Sequence, residues 1–115
     1  MSKEPIEFLR HIQDECAYLI LVSKNLDFNA FIDDETLKRA VVRSLEIIGE
    51  ATKKIPTDFK VTHDSIQWRN MAGMRDRLIH DYMGVNYSIV WDVIKNKIPD
   101  LNNQISKVLS KMKHL

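Results

Sequence analysis

Hydrophobic residues recur along this chain at spacings of three and four, the period of a helix that buries one face. Leu9, Ile12, Cys16, Leu19, Ser23, Leu26 and Ala30 form one such stripe. It predicts a first helix from about Lys3 to about Asn29, with Ser2 as its cap and Glu4 and Pro5 in its first turn. Asp33 and Asp34 then supply a cap for a second helix from about Glu35 to Ile55, which Pro56 stops. Its inward side is Leu37, Val41, Leu45, Ile48, Thr52 and Ile55, widened by Ala40, Ile47 and Ala51. Gly49 falls in mid-helix, where glycine costs roughly 1 kcal/mol relative to alanine, and a close helix–helix contact would explain it.

Residues 57–63 show no period and read as a loop. A third helix begins after a cap at Thr62 or Asp64 and runs to about Tyr82, before Gly84 and Asn86 break the pattern. A fourth spans about Tyr87 to Lys97, with Val90, Val93, Ile94 and Ile98 inward. Pro99 starts or kinks a last helix, whose stripe is Leu101, Ile105, Val108 and Met112. Three glycines and three prolines are little punctuation for 115 residues, which favours long helices over many short strands. The expected fold class is all-α, one domain over residues 1–115.

Composition narrows the function classes. At 44% hydrophobic and 29% charged, the chain is expected to be globular, not disordered. No apolar run approaches the roughly 20 residues of a membrane span, and residues 1–5 lack the apolar core of a signal peptide. A cytoplasmic location is the default expectation. A single cysteine, Cys16, excludes an internal disulfide framework. It lies within the first apolar stripe, where a free thiol reads as a small buried hydrophobe.

Net charge is +1 but unevenly distributed. Residues 1–36 carry three basic against eight acidic residues, and residues 93–115 carry five lysines against Asp100 alone. The balance does not by itself announce a nucleic-acid binder, although a basic face on the later helices remains compatible with one.

No phosphate-binding glycine loop, dinucleotide fingerprint or H-E-x-x-H pair is present. The histidines at 11, 63, 80 and 114 lack metal-ligand spacing. Polar chemistry concentrates instead in Arg75-Asp76-Arg77-Leu78-Ile79-His80-Asp81-Tyr82 on the third helix. Histidine moves protons at neutral pH, and arginine can fork onto a phosphate and hold charge that builds at phosphorus. Asp76 lies four residues before His80, on the same helical face, where it can orient the imidazole. Arg75 and His80 stand about 140° apart around a straight helix, so one helix presents them poorly to a single phosphate. An unwound helix end near Gly84, or a cleft shared by two chains, would relieve that offset. On pattern alone, a solvated helix face remains an alternative to nuclease chemistry.

The segment Arg75-x-x-x-x-His80-x-Tyr82 resembles the R-x4-H-x-Y motif of HepT-like toxins, members of the HEPN superfamily of helical RNases and nucleotide-binding domains. Its flanks are similar as well: Trp68-Arg69 and Met71-Ala72-Gly73-Met74 before, Gly84-Val85-Asn86-Tyr87 and Val90-Trp91 after. Glu46-Ile47-Ile48-Gly49-Glu50-Ala51 looks like the family's second-helix segment. The resemblance implies an antiparallel four-helix bundle with a short additional helix. It also implies a homodimer that brings two motifs into one cleft, and metal-independent endoribonuclease activity on tRNA or mRNA without a cofactor. Arg75 and His80 would be catalytic and Asp76 supporting. The partner would be an MntA-type nucleotidyltransferase antitoxin of a type VII toxin–antitoxin system, which would silence the toxin by transferring AMP to Tyr82. The competing expectation is a non-catalytic HEPN module that only binds such a nucleotidyltransferase.

Overall fold

The structure, a computed structural model, describes residues 4–80 and 84–112, excluding the side chains of Arg75 and of residues 78–80. Helix α1 (Pro5–Ser23) buries Leu9, Ile12, Cys16 and Leu19 completely, as the stripe predicts. Glu4 occupies the cap position without a side-chain hydrogen bond, and Ser2 lies outside the described residues.

The helix stops six residues before the predicted Asn29. Ser23 Oγ donates back to the Leu19 carbonyl at 2.7 Å, and the chain turns at residues 24–25. Asp27 then accepts from the Ala30 amide at 2.8 Å and starts a new short helix, α2 (Phe28–Asp33). An aspartate there satisfies an otherwise orphan amide, which favours a fresh start over continuation. The redirection buries Phe31 and leaves Ala30 exposed, contrary to the extended stripe.

Helix α3 (Glu35–Lys54) is capped by Asp34, whose carboxylate accepts from the Leu37 amide at 2.9 Å. It buries Val41, Leu45, Ile48 and Thr52, with Gly49 also inside. Ser44 is buried as well, donating to Glu15 at 2.7 Å and linking α3 to α1.

Residues 57–62 form a short helix, α4 (Thr57–Thr62), where a loop is expected. Its order comes from aromatic packing that periodicity does not register. Phe59 stacks on His63 with ring centroids 4.2 Å apart and meets Trp68 edge-on, while Trp68 Nε1 donates to the His63 carbonyl at 3.0 Å. Helix α5 (Trp68–His80) accordingly begins at Trp68, later than a cap at Thr62 or Asp64 implies.

Beyond Asn86 the chain runs as one continuous helical rod: α6 (Tyr87–Asp92), a π-helical turn over Val93–Lys97, and α7 (Ile98–Met112). Pro99 cannot donate a backbone hydrogen bond, and its ring would crowd the carbonyl four residues back. In the wider turn, the Ile98 amide bonds to the Val93 carbonyl five residues back. That widening lets the helix pass through the proline without a break. Ile98, Leu101, Ile105 and Val108 are buried.

Gln13 donates to Ser106 at 2.9 Å and Lys95 to the Ser23 carbonyl at 3.2 Å, so α1 and the C-terminal rod run antiparallel. Among the described residues the architecture is the expected all-helical bundle of four long segments, with two short helices, α2 and α4, beside them.

Candidate functional site

Helix α5 carries the chemistry-bearing segment, and its local sequence explains how it is held. Met71 and Met74 pack against the core one turn apart, and Trp68 is buried at its start. Arg69 and Arg77 are exposed. The α5 backbone includes Arg75, Asp76 and His80. At 1.5 Å and 100° per residue, the Cα atoms of Arg75 and His80 are separated by about 7.5 Å along the axis and about 140° around it. Their side chains, and Tyr82 altogether, lie outside the described residues.

Asp76 is tied to a different helix. Lys53 Nζ, near the end of α3, sits 2.7 Å from Asp76 Oδ1, with both side chains a little under half exposed. Glu50, one turn earlier on α3, lies 3.8 Å from Arg43, which also approaches Glu46 at 3.6 Å. A charged surface therefore runs along α3 to the motif helix.

The chain on the far side of the motif is anchored equally firmly. Gly84 has φ +139°, a conformation other residues adopt only with strain. Asn86 Oδ1 accepts from the Ser88 and Ile89 amides at 3.1 and 3.3 Å and caps α6. Tyr87 meets Phe31 edge-on with centroids 6.1 Å apart, and Phe31 stacks on Trp91 at 5.1 Å. Lys38 Nζ lies 4.8 Å from the centre of the Tyr87 ring and 2.8 Å from Glu35, which explains how a lysine can be nearly buried there. Lys38 holds the Glu35 carboxyl below its ordinary range, by hydrogen bond first and by charge second. Helix α5 and the cap at Asn86 flank residues 81–83, which lie outside the described residues.

Sequence reasoning singled out Asp76 but not Lys53. The signal available was weak: a lysine in the last turn of α3 reads equally well as complementing the helix dipole. Cys16 is no rival nucleophile. Burial, and then the neighbouring Glu15 charge, pushes its thiol up to about 12. Among the described residues, no group of three His, Cys, Asp or Glu side chains could hold a metal ion. Among them too, no helix is long and apolar enough to cross a membrane.

The family model for HepT-like ribonucleases matches residues 7–108. Over 96% of this chain and 99% of its own length, a protein of Caldanaerobacter subterraneus subsp. tengcongensis named "Putative RNase TTE0752" is 49% identical. "Probable ribonuclease HepT" of Thermococcus cleftensis is 40% identical over 94% of this chain and 98% of its own length. "Putative RNase MJ1216" of Methanocaldococcus jannaschii is 42% identical over 95% and 91%. No solved structure matches the chain. A helical bundle that carries Arg75, Asp76 and His80 on one braced helix, with relatives of this identity along nearly its whole length, belongs to the HepT-like ribonuclease family.

Proposed function

We propose that this chain is the toxin component of a type VII toxin–antitoxin system, a metal-independent endoribonuclease acting through Arg75 and His80. What carries the reading is family membership together with the presence of both residues on α5, the helix braced through Asp76. The chemistry needs two roles. One group takes the proton of a ribose 2′-hydroxyl, whose oxygen attacks the adjacent phosphorus. The other stabilises charge on the phosphorane-like oxygens while the P–O5′ bond breaks; the 5′-oxygen takes its proton from the newly protonated base or from water, and a 2′,3′-cyclic phosphate remains. An imidazole and a guanidinium can fill these roles without a metal.

The axial and angular separation of Arg75 and His80 favours a cleft completed by a second copy of the chain across a two-fold axis. RNA, either tRNA or mRNA, is the substrate in this reading. Control comes from an MntA-type nucleotidyltransferase. The Tyr82 hydroxyl oxygen attacks the α-phosphorus of ATP, pyrophosphate leaves and the phenolic proton is lost, so that AMP remains on the tyrosine beside the cleft.

The deciding experiment incubates the purified protein with total RNA in EDTA, beside a His80→Ala control. Fragments that appear only with the parent protein support the reading. Loss of all cleavage on chelation, or equal cleavage by the variant, refutes it.

A further inference from the structure

Against the first half of α5 lies a cavity of about 240 Å3, bounded by α3, α5 and the C-terminal rod. We propose that this cavity is a base-recognition subsite that takes one unpaired nucleobase bearing an exocyclic amine. The proposal rests on the ribonuclease reading above for the class of ligand. It rests on the cavity alone for the recognition.

The cavity has the two kinds of surface a base requires. Leu45, Ile48, Met71, Met74 and Leu101 supply apolar walls. Two methionines side by side give polarizable sulfur surface suited to the face of an aromatic ring. The volume falls below the roughly 300–1,000 Å3 of sites for drug-sized ligands, which suits one planar ring system rather than a whole nucleotide.

Polar groups line the remainder. Asn70 donates to Gln67 Oε1 at 2.6 Å, and Gln104 donates to the Ser65 carbonyl at 3.0 Å. These bonds pin the amides and leave the Gln67 NH2, the Asn70 carbonyl and the Gln104 carbonyl without partners among the described residues. A base edge presents donors and acceptors to match. Asp100 also lines the cavity and can only accept when ionised, so it favours a base that donates from an amine, as cytosine does through N4. Lys97 lines the cavity as well and is exposed, and no ion pair joins it to Asp100 among the described residues. It is a cation placed to meet a phosphate while the base is inside.

Two further observations connect the cavity to the motif. Met71 and Met74 lie one turn and one residue before Arg75 on the same helix. A base held there is therefore between about 1.5 and 13.5 Å along the axis from residues of the Arg75–His80 segment. The wall opposite α5 includes Val93 and Lys97, the first and last residues of the π-helical turn. Such turns are frequent at functional sites, because the widened backbone re-aims side chains.

The test uses the His80→Ala protein with 13C-labelled methionine methyls, so that binding is read without turnover. CMP, UMP and ribose 5-phosphate are added in separate titrations. CMP should shift the Met71 and Met74 methyl signals through its ring current, while Met112 stays still. UMP should need at least tenfold more ligand, and ribose 5-phosphate should leave both signals in place. Asp100→Asn should bring CMP and UMP within twofold of one another. The proposal is overturned if no nucleotide moves Met71 or Met74, or if ribose 5-phosphate moves them as CMP does. It is overturned equally if CMP and UMP bind the parent cavity alike. Broadening of both signals with protein concentration alone would mean that a second copy fills the cavity, which also overturns it. RNA cleavage by the parent protein without base binding would reject the subsite and keep the ribonuclease. Base binding without any cleavage would do the reverse.

Discussion

Lys53 Nζ lies 2.7 Å from Asp76 Oδ1, joining the last turn of α3 to the residue that follows Arg75. Twenty-three positions separate the two in sequence, and both side chains are a little under half exposed. A pair this wet contributes at most about 1 kcal/mol to stability. Its effect would be geometric, because it ties Asp76, and with it this stretch of α5, to the last turn of α3. Lys53 is a positioning residue in this view, acting on Arg75 and His80 through Asp76.

Lys53→Ala should therefore melt within a few degrees of the parent protein yet cleave RNA up to about 10²-fold more slowly, the scale of loss from a misplacement of roughly an ångström. Lys53→Arg should retain most activity. The check is a rate-against-pH profile for both variants beside a thermal melt. An alanine variant with the parent's rate and profile would reduce the ion pair to surface decoration.

Arg75→Ala and His80→Ala should each lower cleavage by roughly 10²–10³-fold, with little change in helix content. Alanine is the strongest helix former, so α5 should persist in both variants. Gel-based cleavage assays and circular dichroism separate the two effects. If the cleft is shared, the protein should elute as a dimer or a multiple of one. Mixing the two inactive variants should restore part of the activity when each cleft takes arginine from one chain and histidine from the other. A fully active monomer would refute the shared cleft.

How far the sequence revealed this molecule depends on the range of the forces involved. The inward stripes of α1, α3 and α7 are local and periodic, and Leu9, Ile12, Val41, Ile48 and Ile105 are buried as the pattern predicts. The cap at Asp34 was equally legible, since one carboxylate and one amide three residues on decide it. What was not legible depends on partners distant in the chain or on competing local bonds. Ser23 and Asp27 end α1 early, the Phe59–His63–Trp68 contacts order α4, and a widened turn absorbs Pro99. The candidate site divides in the same way. Arg75, Asp76, His80 and Tyr82 stand out as residue types in one segment, but nothing local announces that Lys53 braces Asp76 or that Lys38 lies under the Tyr87 ring.

Cys16 should be silent in the folded protein. Its thiol is fully buried, and burial chiefly, with the Glu15 charge, pushes it up to about 12 from 9.0. A neutral-pH thiol reagent should react only after denaturant is added. The sign of the linkage follows from the direction of the shift. The unfolded chain releases its thiol proton near pH 9 while the folded chain keeps it, so this contribution to stability is complete below pH 9 and declines as pH rises toward 12. Over that window the parent should lose up to about 1.4 kcal/mol per pH unit relative to Cys16→Ala. Parallel urea melts of the two proteins from pH 8 to pH 10.5 measure the difference, and parallel slopes would contradict a buried, unionised thiol.

Tyr82 is the residue through which we expect the ribonuclease to be controlled. It follows His80 by two positions and precedes Gly84, whose positive φ turns the chain toward the cap at Asn86. An adenylyl group on its hydroxyl would add bulk and a phosphodiester charge two positions from His80, one of the two residues proposed to be catalytic. That charge would repel the RNA backbone and compete for the Arg75 guanidinium. Incubation with a cognate nucleotidyltransferase, ATP and Mg2+ should raise the intact mass by one AMP group, and peptide mapping should place it on Tyr82. Cleavage should fall in proportion to the modified fraction. Tyr82→Phe should stay unmodified and remain active in the presence of the transferase, which distinguishes silencing by modification from silencing by simple complex formation. If the modified protein cuts RNA at the unmodified rate, or if the phenylalanine variant is silenced as well as the parent, control does not pass through this hydroxyl.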